Sequence, residues 1–150
     1  NDDIKYFVTN LGERKIKMKF LLIVGYPTET EEMFEDTMQL LRDYAKYSHL
    51  ISISHHVMMT FENTPLDFEH RELFGGEFGF KWKNKNSDFD IRFQRFIKVY
   101  ELGNQLGYQF QQHCIDKIER YKSDKLNENR KSIGIDHPRK KKVNSLHVQS

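Results

Sequence analysis

An unbroken apolar run, Phe20-Leu21-Leu22-Ile23-Val24, meets Gly25-Tyr26-Pro27 and then a segment of helical periodicity. The run is short and ends in β-branched residues, so it reads as a strand buried on both faces. Gly25 and Pro27 break it. Thr28 or Thr30 can cap a helix behind the break, and Glu31 stands three residues after Thr28, as a capping box requires. Glu29, Glu31 and Glu32 suit the positive end of that helix's dipole. Phe34, Thr37, Met38, Leu41, Tyr44 and Ala45 then share one face, which predicts a helix over 31–46. Ile51, Ile53 and Val57 fall on alternate positions and predict a second strand over 49–58. Strand, helix and strand joined this way make a parallel βαβ unit, so the chain is expected to be α/β.

The flanks are read the same way. Ile4, Phe7, Val8 and Leu11 form one helical stripe, and Gly12 fits its C-cap. Residues 60–85 carry Pro65, three glycines and a concentration of aromatic side chains. They predict a long ordered loop of the lid or binding type, with a short hairpin near Glu77–Trp82. Asp88 or Asp90 can cap a helix running to Gln105, with Phe93, Phe96, Ile97 and Tyr100 as its stripe and Gly107 at its end. A last helix is predicted over 109–122, with Phe110, Cys114, Ile118 and Tyr121 on one face. Beyond Lys122 apolar residues nearly vanish, and Pro138-Arg139-Lys140-Lys141-Lys142 reads as a solvated, disordered tail.

Composition narrows the function classes. A length of 150 residues suits one domain with a real core. The net charge of +2 does not imply a nucleic-acid partner. No apolar run approaches the roughly 18–20 residues of a membrane span. One cysteine excludes an internal disulfide, so a reducing, cytoplasmic setting is expected. His55 and His56 are adjacent on a strand and point to opposite faces, so they do not share a metal. Cys114 sits on an apolar stripe and reads as core. Trp82 and its neighbouring phenylalanines either cover a sheet edge or form a satellite cluster. Arg92 and Arg95 read as a solvated helix face or as partners of acids such as Asp88.

The block from Ile23 to Thr37 resembles a signature of radical S-adenosylmethionine (SAM) enzymes, I-V-G-[FY]-P-x-E-T-x-E-x-F-x-x-T, and meets every fixed place in it. Asn63-Thr64-Pro65-Leu66, and the stretch from Trp82 to Arg92 and Arg95, are more loosely similar to members that also bind cobalamin. The likeness covers about residues 1–110 and leaves the tail outside. It implies a partial parallel (βα) barrel with residues 1–60 in the barrel, a loop and helical extension over 61–122, and a tail over 123–150. It implies that Ile23, Val24 and Gly25 lie near the adenosine of SAM, with Tyr26, Pro27 and Glu29 lining or supporting that edge. Independently, Gly25 permits close approach of the backbone to a ligand, and barrel sites lie at the C-terminal strand ends.

The family holds a 4Fe–4S cluster on C-x3-C-x2-C. Cys114 alone does not replace three thiolates. The resemblance therefore implies cluster ligands, and any cobalamin domain, upstream in the same polypeptide; opening on Asn1 rather than methionine fits a piece of a longer chain. These residues alone would not cleave SAM, and the substrate is unspecified. The competing reading is a non-catalytic α/β binding module whose basic tail contacts RNA or a protein partner.

Overall fold

A computed structural model describes residues 2–132. The chain divides after Lys117 into two compact units. In the first, helix α1 (Asp2–Glu13), strand β1 (Met18–Val24), helix α2 (Glu31–Asp43) and strand β2 (Ile51–Val57) follow in order. Helices α3 (Pro65–His70) and α4 (Phe89–Gln105), a two-residue strand β3 (Gln109–Phe110) and the start of helix α5 (Gln112–Ser132) complete it. The sheet has the order β1-β2-β3 and is parallel throughout, with Val24 opposite Val57 and Ile53 opposite Phe110. The expected parallel βαβ unit is present, and the chain is α/β.

One sheet face holds the core. Val24, Ile51, Ile53 and Val57 are buried there, with Phe34, Met38 and Leu41 of α2 and Phe93, Phe96 and Val99 of α4 among the other core residues. Thr30 caps α2, its side chain accepting from Met33 N, and Asp88 caps α4 by accepting from Ile91 N. Tyr108 precedes β3 and donates its hydroxyl to Leu41 O at 2.7 Å.

Several expectations are corrected. β1 is not buried on both faces: Lys19, Leu21 and Ile23 alternate outward, with Leu21 71% and Ile23 61% exposed. Gly12 lies inside α1 rather than capping it. A Cβ there would meet the Tyr47 ring at about 2.5 Å, and Lys15 takes the positive φ that ends the helix. α2 stops at Asp43 because a 3-10 turn, Ala45–Leu50, leads into β2. The Glu77–Trp82 hairpin is absent. Residues 60–87 instead hold α3, a 3-10 turn (Arg71–Phe74) and two isolated bridges, Thr60 with Gly79 and Asn84 with Ser87.

Residues 109–110 form β3 rather than the start of a helix. The last helix then continues to Ser132, through ten residues expected to be tail. The second unit, in its described part, is that helix, with a Lys125–Glu128 ion pair at 3.2 Å. Lys140, Lys141 and Lys142 lie outside the described residues.

Candidate functional site at the C-terminal sheet edge

β1 and β2 end side by side: Met58 N donates to Val24 O at 2.8 Å. Past Val24 the backbone turns sharply, with Gly25 at φ +81° and Glu29 N closing the turn on Tyr26 O at 2.8 Å. Glu29 then folds back. Its Oε2 accepts from Gly25 N at 2.8 Å and from Arg95 Nη1 at 2.7 Å. Arg95 also donates through Nε and Nη2 to Glu31 Oε1, at 3.2 and 2.5 Å. Glu29 and Arg95 are buried, with side chains 8% and 5% exposed, while Glu31 reaches solvent. The Arg95 hydrogen bond holds the Glu31 carboxyl below its usual range. One guanidinium from α4 thus fastens both the turn and the first residue of α2. Bidentate, charge-assisted contacts of this kind fix orientation as well as adding energy.

The long loop is bound to the same edge. Trp82 is fully buried and donates Nε1–H to Met58 O at 3.2 Å. Asn84 Nδ2 donates to Pro27 O at 2.9 Å and to Leu73 O at 2.8 Å, joining the turn to the loop. Between Trp82 and Gly25 lies Arg92, its guanidinium carbon 3.6 Å from the indole centroid. A Cβ at Gly25 would overlap the Arg92 stem. The glycine therefore admits Arg92 against the turn. Arg92 Nη2 donates to Phe80 O at 2.8 Å, but Nε and Nη1 are buried without a partner. Burial pushes its pKa down to about 10. The indole face offsets part of the cost of burying that charge.

The six expected site residues therefore differ in what they present. Ile23 and Tyr26 expose their side chains; Val24 and Pro27 are buried, Gly25 spends its N–H on Glu29, and Glu29 is locked to Arg95. Trp82 is a component of the edge. Arg92 and Arg95 are not on a solvated face; Arg95 pairs with acids, as the alternative reading had it, but with Glu29 and Glu31 rather than Asp88, and the burial of Arg92 against Trp82 was missed. The available signal was spacing: both share a helical stripe with Phe96, Val99 and Gly103, all of them buried.

His55 and His56 lie on opposite faces. His55 is buried, stacks on Phe96 at 3.7 Å and approaches Phe96 O with Nε2 at 2.9 Å, so Nε2 carries the proton. Its Nδ1 has no partner, and desolvation lowers its pKa to about 4. Cys114 is a buried free thiol, and burial raises its pKa. Among the described residues no group of three or more His, Cys, Asp or Glu is arranged to hold a metal ion, and no helix is long and apolar enough to cross a membrane. No family model, curated protein or solved structure matches the chain.

Proposed function

We propose that residues 1–60 form the C-terminal part of a parallel (βα) barrel of the radical SAM type and residues 61–122 its loop and helical extension, with Ile23, Val24, Gly25, Tyr26, Pro27 and Glu29 on one rim of the SAM pocket. One observation carries the reading. β1 is a parallel strand whose outer face presents Leu21 and Ile23 to solvent at 71% and 61% exposure. Parallel sheets are covered on both faces, and β1 also ends the sheet with a free edge. A barrel accounts for both: further strands pair with β1, and its exposed outer face becomes part of the lumen. α2 and α4, packed on the opposite face, take the place of outer helices.

The cluster does not fit on these residues, because the single thiol is buried and three thiolates are required. In this reading its ligands, and any cobalamin domain, belong to sequence preceding Asn1, and no step is assigned to the cluster here. SAM fits in part. Ile23 and Tyr26 offer accessible apolar surface at the strand end, Gly25 and Pro27 shape the turn, and Glu29 acts through Arg95 to hold it. When bound, SAM supplies the group cleaved in radical chemistry; the residues present here bind and orient it.

The test is the preceding reading frame and the longer protein it encodes. A C-x3-C-x2-C motif is expected there. The anaerobically purified product should show a reducible iron–sulfur chromophore and release 5′-deoxyadenosine from SAM. A frame without that motif sinks this reading and leaves the α/β binding module.

A further inference from the structure

The same sheet face, exposed at β1, is overlaid by the start of α5 at β2 and carries a second polar group there, opposite His55. Ser54 and His56 point to this face from β2, directly beside Leu21 and Ile23, their register partners on β1. His113, in the first turn of α5, stacks on His56 with ring centroids 5.0 Å apart and planes at 19°. Ser54 Oγ lies 3.2 Å from His56 Nε2 and 3.5 Å from His113 Nε2. Lys117, one turn along α5, places Nζ 3.3 Å from His56 Nδ1. An ammonium has only donors. His56 Nδ1 therefore accepts, Nε2 carries the proton and donates to Ser54, and the Ser54 hydroxyl turns to His113 Nε2. The chain of donors runs one way and leaves His113 Nδ1–H at its end.

The charges here do not balance. Burial first, then Lys117, His113 and Lys19, all lower the His56 pKa; each charged group acting on it is cationic. Asp116, next to Lys117, is engaged by Gln112 Nε2 at 2.9 Å. Cys114 Sγ lies 3.4 Å from His113 Nε2, and its raised pKa keeps it a neutral thiol. A metal ion is disfavoured by the ammonium on His56 Nδ1. The chain's net charge of only +2 means that this concentration of donors is local, not a generally basic surface.

We infer that Ser54, His56, His113 and Lys117 form a binding site for the oxyanion group, phosphate or carboxylate, of a small ligand whose apolar body rests on Leu21 and Ile23. The inference stands on contacts between residues 19 and 117 and holds whether or not the sheet belongs to a barrel. The oxyanion supplies the missing negative charge. It accepts from Lys117 and from both imidazole rings, so binding raises the pKa of His56 and tightens as that ring gains its proton.

The experiment follows the ring resonances of His56 and His113 in the full chain during titration with inorganic phosphate, phenyl phosphate and benzoate. Saturable shifts are expected. Phenyl phosphate should bind more tightly than inorganic phosphate, because only it covers Leu21 and Ile23. Phenyl phosphate and benzoate together indicate a general oxyanion site; phenyl phosphate alone assigns a phosphoryl ligand, and benzoate alone a carboxylate. Lys117→Ala should weaken binding about tenfold, in line with loss of one charge-assisted bond, whereas Lys85→Ala should not. Ile23→Glu, which removes none of the hydrogen bonds, should abolish binding by placing a carboxylate beside the site. Circular dichroism reports whether each variant is folded. Absence of saturable shifts with all three probes, or equal weakening by Lys85→Ala and Lys117→Ala, overturns the proposal.

Discussion

Glu29 and Arg95 are buried together, so each is worth most as the other's partner. Removing one leaves a buried charge with incomplete pairing, which typically costs about 3–5 kcal/mol. Glu29→Ala should reach the lower part of that range, because Glu31 still engages Arg95. The double variant with Arg95→Met should cost less than the two single changes combined, as chemical denaturation of all four proteins will show. Gly25→Ala meets two obstacles, a positive φ and the Arg92 stem, and a loss of about 2–4 kcal/mol is expected. Adding Arg92→Ala should relieve only part of the steric clash, because the Cβ of residue 92 stays 2.9 Å from the new methyl.

His55 gives a pH dependence with a defined sign. Its pKa falls from 6.5 to about 4 on folding, so the unfolded chain binds the extra proton in that window. Stability is full above pH 6.5 and declines as pH falls toward 4, by roughly 3 kcal/mol in all. Urea midpoints between pH 4 and 7 should show this slope, and His55→Gln should flatten it. At this scale the sequence revealed the break at Gly25 and Pro27 through their chemistry; it left the cap open between Thr28 and Thr30, and the structure uses Thr30. The sequence concealed the burial of Arg92 and Arg95, since an arginine on a helix usually reaches water and only its neighbours in space decide otherwise.

Among elements, the residue 60–87 segment was the hardest to foresee. Its order comes from single bonds to distant partners: Trp82 to Met58, Asn84 to Pro27 and Leu73. No local period encodes such ties. Asn84→Ala removes two of them and should cost about 1–3 kcal/mol. The loss should fall mainly on the loop, raising hydrogen exchange over 60–87 more than in β2. α2, β2 and α4 were legible because each carries an apolar stripe or alternation, and β1 because its apolar run is continuous and ends at Gly25. β3 was not, because two residues are too few to show a period; it is defined by parallel pairing with Ser52 and Ile53. The outer face of β1 was misjudged for a related reason. Leu21 and Ile23 have the composition of a covered strand, and composition does not state where the cover comes from.

For the whole molecule, β1 ends the described sheet and presents Leu21 and Ile23 to solvent, a setting that favours self-association. Leu21→Lys with Ile23→Lys should shift the chain toward monomer in sedimentation experiments while changing stability by less than about 1 kcal/mol, since both side chains already face solvent. An unchanged association state would show that this surface is not what brings copies together. If the outer face of β1 instead lines a barrel, the same pair of lysines in the longer protein should prevent closure and leave it insoluble.

The sequence holds a single tryptophan, and the fold places it at the junction of strand ends, turn and loop, in contact with a cation. The molecule thus contains its own optical gauge. Indole emission at the blue end reports a closed edge; a red shift reports water reaching Met58 O and Arg92. Nothing needs to be attached to the protein to see the edge open, and a change in that signal on adding a ligand would place its effect at the rim rather than among the histidines of the open face.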